Sequence, residues 1–336
     1  MNAPRIQQLL ETAKNLRLLV IGDVMLDEFV WGRVSRISPE APVPVVEVTG
    51  ESQYPGGAAN VARNLRLFCD QVQICGLVGK DSAGDQLRTL LEAEEIGTGG
   101  LVQNSSMPTI VKTRIVARQQ QVVRVDREKK AEAPAEVRKE ALAAIADLLE
   151  SMDGVILEDY GKGLINQALV SEVCALASAQ GKIVTADPNV QNPLHWGGVH
   201  VLKPNRGEAF AMMGQPDPGA LDNPLQDGPL LEIAQRLIVQ QNVQAVLITL
   251  GEHGMLLVEQ GQEPYHTPTR AREVFDVSGA GDTAIALFTL ALCAGASMHE
   301  AAEISNHASG VVVGKLGTAT LTPVELADAV IRTFQT

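Results

Sequence analysis

Hydrophobic residues along this chain follow a repeated order, in which a short apolar run is followed by a turn and then by a longer segment with helical spacing. Short apolar runs bounded by turns are typical of strands that are buried on both faces of a sheet. We predict such strands at residues 16–21, 72–78, 154–157, 182–186, 200–202 and 245–250. Apolar residues that recur every three or four positions predict helices at residues 58–68, 82–94, 134–150, 166–179 and 230–240. The alternation predicts an α/β fold with a parallel sheet flanked by helices.

Two segments depart from this order, and both are rich in β-branched residues. They span residues 29–48 and 109–126, and the second alternates residues such as Val111 and Thr113 with Lys112 and Arg114. This pattern predicts exposed strands that project from the core. They form either a small sheet that covers one edge of the main domain as a lid, or an ordinary antiparallel extension of the main sheet. Residues 278–316 are predicted to be helical, with a break near Gly295.

The composition narrows the class of protein. A chain of 336 residues with 45 % hydrophobic residues is long enough for one large domain or a core with a smaller appendage, and disorder is not expected. Its 27 basic and 40 acidic residues give a formal charge of −13, which opposes a broad electrostatic grip on nucleic acid or on an anionic membrane. Anionic small molecules would therefore need local sites rich in basic side chains or amide groups.

We expect a soluble, cytoplasmic protein. The first apolar run lies between Arg17 and Asp23 and is too short for a secretion signal. The longest uncharged apolar stretch, residues 283–298, is short for a membrane span and is better interpreted as a buried helix. The four cysteines lack the spacing of a disulfide framework, which fits a reducing compartment.

The most informative local sequence is Asp-Val-Ser-Gly-Ala-Gly-Asp-Thr at residues 276–283, which runs directly into an apolar helix. Gly279 and Gly281 allow a close turn, so that unpaired amide groups at the helix start can point at one anion such as a phosphoryl group. Asp282 would then accept a proton from a hydroxyl while the amides stabilise charge on the phosphate oxygens. Alternatively, Asp282 only complements the helix dipole in a tight turn. A dinucleotide fingerprint completed by Ala284 is disfavoured, because a second helix follows in place of a strand.

Several common motifs are absent from the sequence. A Walker-type phosphate loop, G-x-x-x-x-G-K-[ST], does not occur, and neither does the G-x-S-x-G of many serine hydrolases. The six histidines include no H-x-x-x-H pair, so a zinc site is not expected.

Two segments near the amino terminus are candidates for binding a polar ligand. Asp23 and Asp27 follow the first predicted strand, at the carboxyl end where open α/β sheets bind ligands, and carboxylates there can accept hydrogen bonds from sugar hydroxyls. A solvated loop position for Asp27 is equally consistent. Gly56 and Gly57 open a predicted helix, where they would admit a ligand against the backbone, and Asn60 in its first turn can both donate and accept. A plain glycine turn before a helix explains the same residues.

Together, these motifs resemble the signatures of the ribokinase-like, or PfkB, carbohydrate kinase family. The resemblance rests on Gly-Gly-Ala-Ala-Asn at 56–60, Lys-Pro-Asn-Arg-Gly-Glu at 203–208, Thr-Leu-Gly-Glu-His-Gly at 249–254 and the sequence at 276–282. Four motifs in the family's order are much more specific than any one of them, and they extend over nearly the whole chain.

The resemblance implies a three-layer α/β fold with a central, mostly parallel sheet and a small β-sheet lid. We expect the kinase core to comprise residues 1–28, 54–106 and 128–336, and the lid to comprise residues 29–53 and 107–127. Relatives often pair through their lids, so a homodimer is expected.

Within the family, residues 36–44 and 311–318 resemble the heptose-7-phosphate kinases of lipopolysaccharide precursor synthesis. The resemblance implies transfer of the γ-phosphate of ATP to the anomeric hydroxyl of D-glycero-D-manno-heptose 7-phosphate, which gives the 1,7-bisphosphate. Bifunctional relatives append a nucleotidyltransferase domain. Because this chain ends at Thr336, we expect it to correspond to the stand-alone kinase.

The resemblance also implies roles for the residues that match the family motifs. Asp282 would be the catalytic base, and the amides of Gly279, Ala280 and Gly281 would form the anion hole. Asn205 and Glu208 would organise Mg²⁺ through water. The residues expected to flank ATP are Lys203, Asn205, Glu208, Thr249, Gly251, Gly254 and Asn306. Asp276, with carbonyls of residues 312–317, is a candidate site for a monovalent cation such as K⁺.

For the sugar, the matching family positions are Asp27, Gly56, Gly57, Asn60 and Asp187. In the second lid segment, Lys112, Arg118 and Gln120 are candidates for binding the 7-phosphate, because a phosphate needs charge-assisted donors. A solvated lid face is the alternative for these residues. The family motif that begins at Asp187 often has lysine at its third position, where this chain has Asn189. We therefore hypothesise that Lys203 supplies the missing positive charge near the phosphates.

Two other functions remain open at this stage. The same machinery with a different pocket would serve another sugar or sugar phosphate. A sugar-binding protein could also keep the fold without turnover, although the intact Asp282 and its glycine turn argue against this.

Overall fold

The computed structural model describes residues 1–117, 120–129, 131–271, 274–315 and 317–333. Strands and helices alternate along most of the chain, as the hydrophobic pattern predicts. The strands are β1 (Arg17–Gly22), β2 (Val24–Ile37), β3 (Pro44–Gly57), β4 (Gln71–Gly79), β5 (Gly97–Asn104), β6 (Ile110–Ala117), β7 (Gln120–Arg127), β8 (Gly154–Glu158), β9 (Ile183–Asp187), β10 (Val201–Leu202), β11 (Ala245–Thr249), β12 (Met255–Glu259) and β13 (Tyr265–Thr267). The α-helices are α1 (Ala3–Ala13), α2 (Ala58–Arg66), α3 (Ser82–Ala93), α4 (Ala135–Leu149), α5 (Gln167–Ala179), α6 (Arg206–Met212), α7 (Gly228–Gln241), α8 (Ala280–Cys293), α9 (Met298–Val312) and α10 (Pro323–Thr333). Short 3₁₀ helices span Pro224–Gln226 and Gly251–His253.

A nine-stranded sheet runs through the middle of the molecule in the order β13-β12-β11-β10-β9-β8-β1-β4-β5. Its pairs are parallel from β5 to β11, and β12 and β13 add an antiparallel edge. Helices cover both faces, so successive residues of a central strand enter two different cores. Leu18 and Val20 pack with α2 and α8, whereas Leu19 and Ile21 pack with α4 and α5. The predicted three-layer α/β arrangement is confirmed.

A separate four-stranded sheet has the order β3-β2-β6-β7. β2 pairs antiparallel with β3 and parallel with β6, which continues into an antiparallel β6–β7 hairpin. This sheet is built from chain-distant pieces and is not an extension of the large one. Because only residue 23 separates β1 from β2, and β3 ends where α2 begins, its inner end lies beside the carboxyl edge of the large sheet.

The sequence pattern misses some elements and places others well. The strands β2 and β3 extend beyond the predicted lid segment 29–53 at both ends, and the division into core and lid remains a prediction. The predicted break near Gly295 separates α8 from α9. Among the described residues, every helix falls short of the length and apolarity needed to cross a lipid bilayer.

Candidate active site

Acidic residues and one lysine meet where the central strands of the large sheet end. Gly22, Glu158 and Asp187 stand side by side in register at the carboxyl ends of β1, β8 and β9. Lys203 directly follows β10, and its Nζ lies 2.6 Å from Asp187 Oδ2. Glycine is required at position 22, because a Cβ there would lie 2.2 Å from the Glu158 carbonyl oxygen. The ends of four adjacent strands therefore form one row, in which Glu158, Asp187 and Lys203 follow Gly22 in order on the side of the sheet that carries α2 and α8.

Two charged side chains of this row, Glu158 and Lys203, are almost completely removed from water. Glu158 is 1 % exposed, and burial, followed by the neighbouring carboxylates of Asp187 and Asp282, raises its pKa well above the ordinary value. Burial by itself disfavours the Lys203 cation, but Asp187 and Glu158 raise the pKa of Lys203 overall. The row thus holds a buried ammonium group that stays charged at neutral pH.

Asp282 lies in the first turn of α8, above this row. The helix is preceded by Gly279, whose positive φ of 78° favours glycine. Asp282 Oδ2 accepts a hydrogen bond from Asn60 Nδ2 (2.7 Å), and Asp282 Oδ1 accepts one from Tyr160 Oη (2.8 Å). A Cβ on Gly281 would lie 3.6 Å from Lys203 Nζ, so the lysine ammonium stands beside the glycine turn. A carboxylate, an ammonium group and a helix start therefore converge.

The protonation of Asp282 is set by opposing influences. Burial is the largest and raises the pKa of Asp282 above its ordinary value, while the hydrogen bonds from Asn60 and Tyr160 and the charge of Lys203 act in the opposite direction. A carboxylate with a raised pKa is a better proton acceptor than an exposed one.

The predicted anion hole is only partly free in this structure. The amide of Ala280 donates to the Val277 carbonyl at 3.2 Å. The described part of the chain offers no such backbone acceptor outside α8 to the amides of Gly279 and Gly281. These two amides remain available for an anion at the helix start.

A cavity of about 480 Å³ opens beside the glycine turn. This volume falls within the range of about 300–1,000 Å³ that is usual for small-molecule sites. Six of the predicted phosphate- and ATP-binding positions line it together: Thr249, Gly251, Gly254, Ala280, Gly281 and Asn306. Gly254, with φ 85°, cannot carry a side chain, because a Cβ would lie 2.1 Å from the Thr267 carbonyl oxygen. Asn306 Nδ2 bonds to Thr267 Oγ1 (2.9 Å) and the Pro268 carbonyl (2.7 Å), which fixes one wall.

Asn205 and Glu208 form a capping box at the start of α6. The Asn205 side chain accepts from the Glu208 amide (2.9 Å), and Glu208 Oε2 accepts from the Asn205 amide (2.8 Å). This explains the spacing of the motif locally, because each side chain satisfies a free amide of the helix end. Over the described ranges, the structure contains no cluster of three or more His, Cys, Asp or Glu side chains arranged to hold a metal ion directly. The role of the two residues toward Mg²⁺ remains a prediction.

Asp276 closes the loop that precedes α8. Its carboxylate accepts from the Ser278 amide (2.9 Å) and the Gly317 amide (3.2 Å). The Val313 carbonyl, part of the same predicted cation site, accepts from the Phe275 amide at 2.8 Å. The structure brings Asp276 and the segment after α9 together, and the cation itself remains a prediction.

Four of the five predicted sugar positions, Asp27, Gly56, Gly57 and Asn60, meet on the other side of Asp282, whereas Asp187 lies in the row with Lys203. A Cβ on Gly56 would lie 2.2 Å from Asp27 Oδ2, and Gly57 has a positive φ of 60°, so both glycines are needed where the small sheet meets α2. Asn60 is fully buried, and its Oδ1 has no hydrogen-bond partner within the described residues. Such a lone buried acceptor beside Asp282 suits a ligand hydroxyl.

Cationic side chains flank Asp27 on the inner end of the small sheet. Lys112 pairs with Asp27 in register, and its Nζ lies 3.3 Å from Asp126 Oδ2 and 3.8 Å from Glu128 Oε2. Lys162 Nζ approaches Glu128 Oε2 to 2.7 Å, and Arg114 Nη1 lies 2.5 Å from Asp27 Oδ1. Lys112 therefore lies beside Asp27 with two further cations nearby, and its role toward a phosphate remains a prediction.

Of the other two lid candidates, Gln120 is not brought to this place. Gln120 pairs with Ala117, which is five residues beyond Lys112 on β6, so it lies roughly 16 Å further along the sheet. Arg118 lies outside the described residues.

Sequence reasoning missed Tyr160, Lys162, Arg114 and Glu158. Each had a signal: Glu158 ends a predicted central strand, Tyr160 and Lys162 follow it in a glycine-containing loop, and Arg114 lies two residues from Lys112 on one strand face. Asp23, the other carboxylate after the first strand, has a structural role, because it holds the loop that follows β8. Its carboxylate accepts from the amides of Tyr160 (3.0 Å) and Lys162 (2.9 Å).

Comparison with known proteins reveals relatives along most of the chain. The protein named Bifunctional protein HldE from Desulfatibacillum aliphaticivorans is 41 % identical over 311 residues, which cover 92 % of this chain and 62 % of that protein. The HldE of Helicobacter pylori J99 is 40 % identical over 311 residues, which cover 93 % of this chain and 65 % of that protein. The chain thus spans less than two thirds of the length of these relatives.

Solved structures share the fold at lower identity. Phosphofructokinase-2 from Escherichia coli in complex with potassium superposes with a TM-score of 0.75 at 18 % identity, over 96 % of this chain and all of that one (100 %). Ribokinase from Arabidopsis thaliana complexed with ribose and ATP has a TM-score of 0.71 at 17 % identity, over 94 % of this chain and 98 % of that one. The pattern of the pfkB family carbohydrate kinases matches residues 15–325. The chain therefore belongs to the pfkB family of carbohydrate kinases.

Proposed function

We propose that this protein catalyses the ATP-dependent phosphorylation of the anomeric hydroxyl of D-glycero-D-manno-heptose 7-phosphate. The observation that carries the proposal is the placement of Asp282, whose carboxylate lies between the nucleotide-sized cavity at Gly281 and the group formed by Asn60, Gly57 and Asp27. A base between two binding regions is what transfer from ATP to a sugar hydroxyl requires.

In the proposed step, Asp282 accepts the proton of the C1 hydroxyl. The hydroxyl oxygen forms a bond to the γ-phosphorus as the bond from that phosphorus to the β,γ-bridging oxygen breaks, and ADP leaves with the electron pair. Lys203 and the amides of Gly279 and Gly281 stabilise the negative charge on the transferring group. Such positioning and charge stabilisation is the main work of phosphoryl-transfer enzymes.

The family resemblance implies Mg²⁺ as the ion that accompanies ATP. Asn205 and Glu208 offer an amide oxygen and a carboxylate, which are the hard oxygen donors that Mg²⁺ prefers, and water between them and the ion fits their capping role. When bound, Mg²⁺ supplies charge neutralisation at the phosphate oxygens.

We assign the far end of the sugar to the inner end of the small sheet. Lys112 and Lys162 both approach Glu128, and Arg114 pairs with Asp27, so three cations stand where the 7-phosphate would lie in a sugar whose C1 faces Asp282. Each of these cations is paired with a carboxylate, so an anionic substrate would have to exchange with Asp126 or Glu128 to reach the ammonium groups. The resemblance to heptose-7-phosphate kinases implies that some relatives are bifunctional, and the relative named Bifunctional protein HldE fits this expectation.

A panel of sugars assayed for ADP release tests the activity. We expect turnover with the heptose 7-phosphate and little with the unphosphorylated heptose, ribose or fructose 6-phosphate, and ³¹P NMR should locate the new phosphate on C1. Equal turnover of ribose or fructose 6-phosphate would instead indicate a kinase for another sugar. Binding of the heptose phosphate without ADP release would indicate a sugar-binding protein.

Replacing Lys112 by alanine tests the phosphate site separately. Because a charge-assisted contact to the substrate is lost, we expect the KM for the sugar phosphate to rise about 10- to 100-fold while the KM for ATP is unchanged. Arg124→Ala is a matched control, since Arg124 Nε also contacts Asp126 (2.8 Å) but belongs to a more exposed side chain. An equal rise of both KM values in Lys112→Ala would argue against a phosphate contact.

We also propose that the small sheet mediates a homodimer. Val30, Ile115 and Val123 lie in one row across β2, β6 and β7, and Val123 and Val125 are 45 % and 53 % exposed. An apolar row on a single sheet layer is poorly protected from water unless another surface covers it. Val123→Lys combined with Val125→Lys should yield a monomer in light scattering at a concentration where the unmodified protein is a dimer. A monomeric unmodified protein would refute the proposal.

A further inference from the structure

Tyr160 forms a hydrogen bond with Asp282, the proposed base, and the reaction described above gives this bond no role. Its Oη donates to Asp282 Oδ1 at 2.8 Å, while Asn60 Nδ2 donates to Asp282 Oδ2 at 2.7 Å. The two donors come from different elements, the loop after β8 and the first turn of α2. Each carboxylate oxygen therefore has one lone pair engaged, and the plane of the carboxylate is fixed.

The main chain around Tyr160 is itself held firmly. Asp23 Oδ2 accepts from the amides of Tyr160 (3.0 Å) and Lys162 (2.9 Å), and the Asp23 amide donates to the Glu158 carbonyl (3.2 Å). Asp23 is only 4 % exposed, so these bonds lie away from water, where a lost partner is costly. The buried Asp23 carboxylate between β1 and β2 therefore holds the loop that carries Tyr160.

The ring of Tyr160 also faces the proposed sugar region. A Cβ built on Gly57 would lie 3.4 Å from Tyr160 Cε2, so the ring edge packs beside the Gly57 backbone. The side chain thus extends from the loop, past the glycine turn, to the base.

We infer that Tyr160 is a positioning residue, whose phenol O–H fixes the orientation of the Asp282 carboxylate and whose ring forms a wall of the sugar pocket beside Gly57. The inference rests on the proposed role of Asp282 as the base. The phenol donates to the ionised carboxylate, and one lone pair of each oxygen stays available for the acceptor hydroxyl.

The hydrogen bond has a signature that a purely structural contact lacks. A donor to the ionised carboxylate lowers the pKa of Asp282, so removing the phenol O–H should raise that pKa. The other charged groups that influence Asp282 are Lys203 after β10, Asp27 on β2, Glu158 on β8 and Asp187 on β9, and none of them changes in a Tyr160 variant.

Tyr160→Phe keeps the ring and removes only the hydroxyl, which makes it the first test. We expect kcat to fall about 10-fold or more, because one hydrogen bond to a charged group is lost, with the KM for ATP unchanged. The acidic limb of the kcat profile should move to higher pH by about one unit. Tyr265→Phe is the matched control, since Tyr265 Oη also donates to a carboxylate, Glu303 Oε1, at 2.7 Å, and it should leave the limb in place.

A second test uses a modified protein in which the same hydrogen bond is strengthened instead of removed. The chain has three tyrosines, so difluorotyrosine can be incorporated at Tyr160 alone in a protein that carries the substitutions Tyr54→Phe and Tyr265→Phe. Because fluorination makes the phenol a stronger donor, the acidic limb should move to lower pH. A limb that stays in place in both the Tyr160→Phe variant and the fluorinated protein would overturn the inference, even if kcat falls. Absence of any sugar phosphorylation by the unmodified protein would instead remove the proposed function.

Discussion

Asp282→Asn is expected to lower kcat by about 10² to 10⁴, which corresponds to roughly 3 to 5 kcal/mol of activation free energy. An amide at this position keeps the size of the side chain but cannot take the proton of the acceptor hydroxyl. The KM for ATP should change little, because the nucleotide-sized cavity is lined by Gly281 and Ala280 and not by Asp282 itself. Steady-state kinetics with the heptose phosphate measures both quantities.

The control for this variant comes from the next helix. Glu300 occupies the same helical position in α9 as Asp282 does in α8, and it pairs with Arg5 at 2.9 Å. Glu300→Gln should lower the melting temperature with kcat unchanged. If Asp282→Asn behaved in the same way, with a small loss of stability of about 0.3–1 kcal/mol and normal turnover, Asp282 would only complement the helix dipole.

Lys203→Met is expected to reduce kcat/KM for ATP by about 10² to 10³. This is the usual effect of removing one preorganised group that stabilises charge in the transition state. The same change leaves the buried Glu158 and the largely buried Asp187 without a cation, and breaking a buried ion pair costs about 3–5 kcal/mol of stability. Unchanged kcat and KM for ATP would refute the proposed role at the phosphates.

The stability loss in Lys203→Met should depend on pH. Burial raises the pKa of Asp187 to about 7, and Lys203 is the largest influence that opposes this rise. Without the lysine this pKa rises further, so the carboxyl remains protonated to still higher pH in the folded state, whereas in the unfolded state it ionises near its ordinary value. The variant is therefore closest to the unmodified protein below about pH 7, where this carboxyl is protonated in both folded proteins, and it falls further behind as the pH rises above that value. Adding Asp187→Asn should restore stability at pH 8 without restoring ATP use, and denaturant unfolding at pH 4 and at pH 8 measures this. A loss that is the same at pH 4 and pH 8 would contradict this account.

The sequence pattern predicted most of the central strands and the exposed strands of the small sheet, and it missed β5, β12 and β13. Central strands such as β1 and β8 are continuous apolar runs and are easily recognised. In contrast, β5 has glycine at positions 97, 99 and 100, and its strand geometry comes from pairing with β4 rather than from its own propensity. The distinction between a lid and an edge extension also needed the structure, because alternation along one strand does not tell which strand pairs with it.

The site residues that were predicted belong to local sequence motifs, whereas those that were missed depend on contacts between segments that are distant in the sequence. Asp282 and Asn60 lie in the first turns of helices that follow glycine-rich segments, and this local chemistry is visible in the sequence. The contact between Lys203 and Asp187 was not visible, because it depends on the register of β9 and β10. Tyr160 reaches Asp282 across 122 residues of sequence, and only the folded arrangement of β8 and α8 brings the two together.

The shared carboxylate of Glu128 has a consequence for substrate choice. Glu128 follows β7 of the small sheet, and it neutralises Lys162 of the core loop at 2.7 Å while Lys112 stands 3.8 Å away. A substrate phosphate must displace the Glu128 carboxylate from Lys162 and Lys112. The affinity gained from the phosphate contacts is therefore reduced by the energy of the ion pairs that are broken. An uncharged sugar cannot drive that exchange, and it would find the ammonium groups already occupied.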